Sequence, residues 1–311
     1  MTEASVARTQ PSWAQTVSTY IRLTKPRIML LLLITTAGAM LLAANGLPPF
    51  YLLAVTLIGG ALGAGGASAI NNYMDRDIDQ LMQRTASRPV ASGDISPRKA
   101  LSFGVTLLVG SFLLLAVVVN VLAAVLTMIG ALFYIFVYTG WLKRSSVHGV
   151  VIGGAAGALP PLVGWAAVTG ELSLLAYLLF ATIFIWTPPH FWALSLLIKN
   201  EYERAQVPML PVIRGETETR RQIVWYSIGL VGFTLLVAPL GSFGVLYALA
   251  AGALGASFLY RAARLLRSGT RHDAGNLFHY SILYLALLFA AMVLDRQLPA
   301  LITTVTRIVT H

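Results

Sequence analysis

The chain has 311 residues, of which 57% are hydrophobic and only 11% charged, with a formal net charge of +10 and a mean hydropathy of +0.75. Soluble domains carry about 25% charged residues, so this composition excludes a soluble globular protein and predicts an integral membrane protein. The chain contains no cysteine, which excludes disulfides, thiolate chemistry and cysteine-ligated metals.

The polar start of the chain and the apolar segments after it define the predicted organisation. Residues 1–25 lack the apolar core of a signal peptide and are expected to form a cytoplasmic N-terminal arm. Residues 26–296 are predicted to be one transmembrane domain, and 297–311 a C-terminal tail. A backbone inside a bilayer satisfies its own hydrogen bonds, so we predict an all-α polytopic protein with about nine transmembrane helices. The apolar segments cover approximately residues 28–45, 50–70, 100–119, 121–140, 147–168, 173–198, 222–241, 243–263 and 277–295.

Basic residues are confined almost entirely to alternate connections between these segments. Twenty of the 22 Lys and Arg residues lie before the first span or in 76–99, 143–144, 199–221 and 261–271. Basic residues mark the cytoplasmic side, so the N-terminus and the charged loops are predicted to face the cytoplasm of a prokaryotic cell, across its inner membrane. Topology therefore explains the net charge, and nucleic-acid binding is not expected.

The order of long and short connections suggests an internal duplication. The first four spans and the next four each place a long charged loop after their second helix, at 75–98 and at 199–221. Membrane proteins built from repeats show this organisation. It predicts two polar loops on one side of the membrane that face each other across a cavity.

The first of these loops begins with an acidic stretch, NNYMDRDIDQLMQRTASRP at 71–89, whose first Asp ends a run of 47 residues (28–74) without a charged side chain. If the second span continues as a helix, Asn71, Asp75 and Asp79 share one face and form an oxygen-rich stripe of about 12 Å. Asp77 then points to the other side, where we expect it to pair with a nearby Arg.

This stripe can be interpreted as a solvated helix end or as a ligand site. Two like charges four residues apart destabilise a helix, and membrane topology does not require acidic residues. Hard oxygen ligands suit Mg²⁺, which completes its coordination with water and phosphate oxygens. Arg84 and Arg88 follow, and Arg is well shaped for phosphate. These residues favour a ligand with a diphosphate head and an apolar tail.

The same stretch resembles the Asn-x-x-x-Asp-x-x-x-Asp signature of the intramembrane UbiA-type prenyltransferase superfamily, which includes 4-hydroxybenzoate polyprenyltransferase. Four further strings resemble the protohaem IX farnesyltransferase (haem O synthase) family within it. These strings are LTKPRI before the first span, WLKRSSVHGVVIGGAAGALPPLVGWAAVTG at 141–170, WTPPHFWALSL at 186–196 and YERAQVPMLPVIRG at 202–215. The resemblance extends from about residue 23 to residue 220.

This resemblance implies nine transmembrane helices around a central cavity that opens to the cytoplasmic side. It implies that protohaem IX, farnesyl diphosphate and water give haem O and diphosphate, with Mg²⁺ as cofactor. The partners it implies are these two substrates, the lipid bilayer, and proteins of haem biosynthesis or terminal-oxidase assembly.

Carried onto this chain, the resemblance implies a set of site residues. Asn71, Asp75 and Asp79 are the expected metal and catalytic residues. The expected diphosphate or propionate contacts are Lys25, Arg84, Arg88, Lys143 and Arg144, with Lys199, Glu201 and Tyr202 on the second loop.

The chain departs from the family pattern at two places. The family usually has an Asp-Tyr pair, often preceded by another Asp, where this chain has Asn200, Glu201 and Tyr202. The longer Glu side chain puts a second metal position there in doubt. His148 stands where many relatives have Asn.

His190, in the sixth predicted span, is the expected haem contact. It lies eleven residues before Glu201, so in one continuous helix the two would share a face about 16 Å apart. An ionisable residue at such depth is a functional candidate, and imidazole is a common ligand of haem iron. The alternative is a neutral histidine bonded to a carbonyl that a helix disruption at Pro188-Pro189 has freed.

Three other functions share some of these features. A multi-span transporter usually has ionisable groups deep within its spans, and here no Asp, Glu, Lys or Arg lies there. A haem chaperone does not need the acidic stripe, and another intramembrane aromatic prenyltransferase should lack TPPHFWALSL. Two glycine-rich faces, 59–68 and 153–161, predict close helix packing, with room for a flat macrocycle as the alternative.

Overall fold

A computed structural model describes residues 12–309, with side chains described through Gln297, and all regular secondary structure in this range is helical. A π-helical segment, Phe133–Leu142, lies between α6 and α7. The α-helices are α1 (Trp13–Leu23), α2 (Pro26–Ala43), α3 (Phe50–Met74), α4 (Arg76–Leu81), α5 (Pro97–Val118), α6 (Val121–Leu132), α7 (Lys143–Ser145), α8 (Gly149–Ala158), α9 (Pro160–Thr169), α10 (Leu174–Leu197), α11 (Lys199–Arg204), α12 (Leu210–Ile213), α13 (Gly215–Leu240), α14 (Val245–Ser268) and α15 (Arg271–Val309).

Nine helical spans within the described residues are long and apolar enough to cross a membrane, which confirms the predicted number. They are Pro26–Ala43, Phe50–Met74, Pro97–Val118, Val121–Ser145, Gly149–Thr169, Leu174–Leu197, Gly215–Leu240, Val245–Ser268 and Arg271–Gln297. Some helices extend beyond the predicted apolar segments, and α13 begins seven residues early. Glu216 and Glu218 lie in its first turn, where the positive end of the helix dipole stabilises carboxylates.

The connections 75–96, 143–148, 198–214 and 269–270 lie together at what we call the loop end of the bundle, because consecutive spans run in opposite directions. Hydrogen bonds join these connections to one another. The backbone N–H of Arg84 donates to Glu201, and Arg271 donates to the carbonyl of Leu197. The two long charged loops therefore meet, as the internal duplication predicts.

Helix packing divides the bundle into neighbouring groups. In the first half α3 packs along α5, and in the second half α10, α13, α14 and α15 pack in succession; α2 packs along α9 and so joins the two halves. The last span, α15, also packs against α2 and α10. The last span therefore lies beside the first, and α15 helps to enclose α10.

The glycine-rich face of α3 serves helix packing. A Cβ atom added to Gly66 would lie 2.7 Å from the carbonyl oxygen of Gly104 on α5, and one added to Gly104 would lie 2.9 Å from that of Gly66. The two backbones are thus in direct contact, which small residues allow. On α8, a Cβ on Gly154 would lie 2.9 Å from Thr187 of α10. Both faces are therefore used for close packing.

The course of α10 corrects two expectations. Pro188 and Pro189 lie inside a helix that continues through both of them, so the predicted disruption does not occur. The helix ends instead at Leu197, and Ile198 has φ −119° and ψ 25°. The prediction assumed one continuous helix from His190 to Glu201, whereas His190 lies on α10 and Glu201 lies on α11.

Candidate active site at the loop end

The acidic stripe forms across a junction between two helices. Asp75 follows the last residue of α3 and precedes α4, with φ −90° and ψ 3°. The helical hydrogen bonds continue through this break, because the Asp75 amide donates to Asn71 (2.9 Å) and the Asp79 amide donates to Asp75 (2.8 Å). Asn71, Asp75 and Asp79 are 2%, 0% and 1% exposed. The structure thus brings the three expected metal and catalytic residues together in a buried position.

Basic side chains from three parts of the chain surround this stripe. Arg88 donates to both carboxylate oxygens of Asp79, at 2.8 and 2.9 Å. Lys143 donates to Oδ2 of Asp75 at 2.5 Å. Lys25 donates to Oδ1 of Asn71 at 2.6 Å. Two buried carboxylates are therefore matched by three basic groups, which leaves a positive excess that suits an anion.

Lys25 reaches the site because of its position between two helices. It separates α1 from α2 in the left-handed conformation, with φ 53° and ψ 60°. Burial, followed by the positive charges of Arg88 and Lys143, lowers the pKa of the Lys25 amino group well below its usual range. An anionic ligand beside Lys25 would oppose this shift and favour the charged form of its amino group.

Asp77 lies outside the stripe, as the helical spacing predicts. Arg144 donates to its two carboxylate oxygens at 2.6 and 2.7 Å and to the carbonyl of Met74 at 2.9 Å. These hydrogen bonds lower the pKa of Asp77 from 3.8 to about 2. The expected pairing of Asp77 with an Arg is confirmed, and Arg144 also lies 3.6 Å from Oδ1 of Asp75.

The donor set of the stripe fits a magnesium ion. Oδ1 of Asp75 is buried and accepts no hydrogen bond from any described residue, so a carboxylate oxygen is available for a cation. Groups of three or more His, Cys, Asp or Glu placed to hold a metal do not occur among residues 12–297. Mg²⁺ requires no such group, because one or two carboxylates with phosphate oxygens and water suffice. Asp75, Asp79 and Asn71 are the residues that would hold it.

The second loop meets the first through Glu201. Oε2 of Glu201 accepts the backbone N–H of Arg84 at 3.2 Å, and the next residue, Tyr202, is buried. Burial raises the pKa of the Tyr202 phenol, so its hydroxyl stays neutral at pH 7. Lys199 donates to Glu216 of α13 at 3.2 Å, and the structure shows no contact between it and the carboxylates.

A cavity of about 310 Å³ lies between the two loops, beside the pair of Asp77 and Arg144. Its wall is polar on the side of that pair and mainly apolar elsewhere. The lining residues are Asp77, Ile78, Leu81, Arg144, Ala205, Gln206 and Val207.

Thr139 is a site residue that the sequence analysis missed. It lies in the π-helical segment, is fully buried, and accepts a hydrogen bond from Nδ2 of Asn71 at 3.1 Å. The same nitrogen donates to Asp75 at 2.7 Å. A π-helical turn is frequent at functional sites, and this one precedes Lys143 directly. A single hydroxyl in an apolar run was the only signal, and it is a common feature of membrane helices.

His190 lies in a different environment, among the apolar side chains of α10 and α15. Its ring stacks on Trp186 and Phe278, and its Nδ1 lies 2.6 Å from Oγ of Ser281. The structure does not bring His190 into contact with the acidic stripe. His148, the other histidine at a departure from the family pattern, is exposed.

Sequence comparison identifies similar proteins over nearly the whole chain. Residues 32–294 match the UbiA prenyltransferase family. A protoheme IX farnesyltransferase from Trichodesmium erythraeum is 55% identical over 293 residues, which cover 94% of this chain and 89% of that protein. One from Gloeobacter violaceus is 52% identical, over 93% of this chain and 95% of its own length. A longer one from Chloroflexus aurantiacus is 50% identical over 95% of this chain, which spans half of that relative.

Structural comparison gives the same fold at much lower sequence identity. A digeranylgeranylglyceryl phosphate synthase structure aligns with a TM-score of 0.75 and 20% identity, over 90% of this chain and 98% of that one. A UbiA homologue from Archaeoglobus fulgidus, solved with DMAPP and Mg²⁺ bound, aligns with a TM-score of 0.64 and 16% identity. That alignment covers 88% of this chain and 99% of the homologue.

Proposed function

The chain belongs to the UbiA prenyltransferase family, and we propose that it transfers a farnesyl group from farnesyl diphosphate to a vinyl group of protohaem IX. Water adds in the same reaction, and the products are haem O and diphosphate. The observation that carries this proposal is the buried pair of Asp75 and Asp79, matched by three basic side chains at the mouth of an apolar bundle. The relatives named protoheme IX farnesyltransferase support the choice of substrates.

The basic side chains would bind and stabilise the diphosphate as it leaves. Farnesyl transfer breaks the allylic C1–O bond, which places positive charge on the allyl group and additional negative charge on the diphosphate. Fixed cations directed at that developing charge supply the largest catalytic contribution in many enzymes. Lys25, Arg88 and Lys143 are already held in position by Asn71, Asp79 and Asp75. Bound Mg²⁺ would neutralise part of the diphosphate charge.

The membrane-spanning helices would keep water from the allylic cation. The terminal vinyl carbon of the haem forms the new bond to C1 of the farnesyl group, and water then adds to the other vinyl carbon with loss of a proton. Earlier access of water would hydrolyse the farnesyl cation instead. Burial of the acidic stripe beneath the loops favours late addition of water. C1 of the farnesyl group would lie on the apolar side of the carboxylates, away from bulk water.

We propose that the haem lies deeper in the bundle than the diphosphate. His190 is seven residues before the end of α10, roughly 11 Å from the loop end along the helix. Packing contacts through α8 connect the acidic site with α10. Gly153 lies against Tyr138 of the π-helical segment, and Gly154 lies against Thr187 of α10. His190 is the residue we assign to the haem.

The test of this function is product formation by membranes that contain the protein. Incubation with protohaem, farnesyl diphosphate and Mg²⁺ should yield haem whose mass has increased by one farnesyl group and one hydroxyl group, and chelation of Mg²⁺ should stop it. Absence of this product from correctly inserted protein would overturn the proposal. Prenylation of 4-hydroxybenzoate instead of haem would instead support the alternative function, another aromatic prenyltransferase of this fold.

We further propose that the loop end faces the cytoplasm, across the inner membrane, as the distribution of basic residues suggests. Single cysteines at the exposed positions Ser92 and Thr217 should react with a membrane-impermeant thiol reagent only from the cytoplasmic side. A cysteine at the exposed Glu171, in a connection at the opposite end, is the control and should react only from outside. The chain has no other cysteine, so each label reports one position. Reversed labelling would contradict the orientation.

A further inference from the structure

Two aromatic rings stack on the His190 imidazole. Trp186 stacks on one side at a centroid distance of 4.3 Å and an interplanar angle of 17°. Phe278 of α15 stacks at 4.8 Å and 24°. Only 9% of the residue is exposed. These contacts therefore set the plane of the ring.

Ser281 determines which ring nitrogen carries the proton. Its Oγ lies 2.6 Å from Nδ1 of His190 and 2.6 Å from the carbonyl oxygen of Phe278. A hydroxyl has one hydrogen to donate, and a carbonyl oxygen has none. If the hydroxyl donated to Nδ1, the short contact between the two oxygens would have no hydrogen and would be repulsive. The hydroxyl therefore donates to Phe278, and Nδ1–H of His190 donates to Ser281.

This tautomer leaves a lone pair on Nε2 of His190. Nε2 has no hydrogen-bond partner in the part of the chain that the structure describes. Nε2 is not one of the solvent-inaccessible polar atoms that lack a partner. Part of the small exposed surface of His190 therefore lies on Nε2. A histidine with only a packing role would have this nitrogen bonded or enclosed. Here the nitrogen is an acceptor that no described residue satisfies.

The position of Ser281 is itself held by a second contact. The indole N–H of Trp186 donates to the carbonyl oxygen of Ser281 at 2.8 Å, so two hydrogen bonds join α10 to Ser281 of α15. An acceptor on one nitrogen of a ligating histidine orients the ring and increases the basicity of the other nitrogen. Trp186, His190 and Ser281 form such an arrangement.

We propose that Ser281 is a positioning residue that holds His190 in its Nδ1–H tautomer, so that Nε2 coordinates the iron of the haem substrate. The proposal rests on the proposed function, which supplies haem as the ligand. Neutral imidazole is a common axial ligand of haem iron. The macrocycle would then lie at the open edge of the ring, with the diphosphate nearer the loops.

Titration of the purified full-length protein with protohaem, without a prenyl donor, tests this assignment. His190→Ala should abolish the absorption spectrum of histidine-ligated haem, and so should His190→Gln, which fills more of the space. Ser281→Ala should keep that spectrum but bind haem about 10-fold or more weakly, as loss of the partner of a ligating histidine does. The reduction potential of haem bound to the Ser281→Ala variant should rise, because a less basic imidazole stabilises ferric iron less. Ser281→Thr, which keeps the hydroxyl, should restore both properties.

Ser227→Ala is the matched control. Ser227 is also a fully buried helical serine, and its hydroxyl donates only to the backbone carbonyl of Ile223, at 2.6 Å. Equal haem affinity and potential in Ser281→Ala and Ser227→Ala would overturn the positioning role. An unchanged haem titration in both His190 variants would overturn the ligation. If the wild-type protein still makes farnesylated haem in either case, only this inference fails; if it makes none, the proposed function fails.

Discussion

Asp75 and Asp295 are both buried carboxylates, at opposite ends of the bundle, and their partners differ in kind. Asp295, near the end of the last span, accepts the backbone N–H groups of Gly244 (2.6 Å) and Tyr247 (3.1 Å). Asp75 accepts from the side chains of Lys143 and Asn71, and one of its oxygens accepts no hydrogen bond from the described residues. Asp295 thus completes the first turn of α14, whereas Asp75 retains capacity for a ligand.

The comparison shows how to separate a structural acid from a functional one at equal burial. Backbone N–H groups at a helix start are present whether or not a substrate binds, so a carboxylate that they satisfy contributes to folding. Flexible basic side chains can change partner from a carboxylate to a phosphate. A carboxylate that is paired with such side chains can therefore lose them to a phosphate ligand. Burial alone does not distinguish the two acids, but the chemical nature of their partners does.

The largest expected effect comes from the carboxylates of the stripe. Asp75→Asn or Asp79→Asn should lower turnover by about 100-fold to 1,000-fold, because a charge that would hold Mg²⁺ against the diphosphate is lost. The dependence on Mg²⁺ concentration should shift to higher values. Asp295→Asn is the matched control and should lower thermal stability, by about 1 kcal/mol, with an unchanged Mg²⁺ response. A correctly inserted Asp75→Asn protein with near-normal activity would contradict the assignment.

A smaller effect is expected from the basic partners. Lys143→Gln should reduce turnover by about 10-fold to 100-fold, since a charge-assisted hydrogen bond contributes about 1.5–3 kcal/mol. It should also weaken binding of diphosphate in a competition assay. Arg271→Gln is a control, because that Arg lies at the loop end and donates only to the backbone of Leu197. Equal losses in the two variants would argue against a specific role for Lys143.

A smaller effect still is expected at Thr139. Thr139→Val removes the acceptor for Asn71 while keeping the shape, so one hydrogen bond of about 1 kcal/mol is lost. Turnover should fall about 5-fold with a higher requirement for Mg²⁺, and Thr139→Ser should recover it. Thr182→Val is a control, because the hydroxyl of this buried Thr donates only to the carbonyl of Leu178. If Thr139→Ser is as impaired as Thr139→Val, the hydroxyl is not the cause.

The smallest effect is expected at Asp77, the acid that faces away from the stripe. Its pKa is lowered to about 2 in the folded protein, so its stabilising contribution is complete above the unfolded value near 3.8 and is lost as the pH falls toward 2. Asp77 is 58% exposed, so solvent screens the pair with Arg144. Unfolding of Asp77→Asn and wild type, measured at pH 7 and at pH 3, should differ slightly at pH 7 and less at pH 3. A larger difference at pH 3 would contradict the sign of the shift.

Several features of the protein follow from its sequence alone, because their causes act within one segment. An apolar run of about 20 residues has to form a helix in a bilayer, so composition was sufficient for the nine spans. The i, i+4, i+8 relation of Asn71, Asp75 and Asp79 survived the break between α3 and α4, because the helical hydrogen bonds continue through it. Asp77 was correctly expected on the other side and paired with an Arg. The distribution of basic residues likewise requires no tertiary information.

Other features were decided only by the tertiary structure, because they join residues that are distant in the chain. Lys143 and Asp75 are 68 residues apart, as are Thr139 and Asn71, and His190 and Ser281 are 91 apart. Which side chains meet depends on the rotation of each helix about its axis, and packing against neighbouring helices determines that rotation. The break at Ile198 was likewise not predicted from the sequence. A spacing of eleven residues predicts a shared face within one helix, whereas His190 and Glu201 lie on two successive helices.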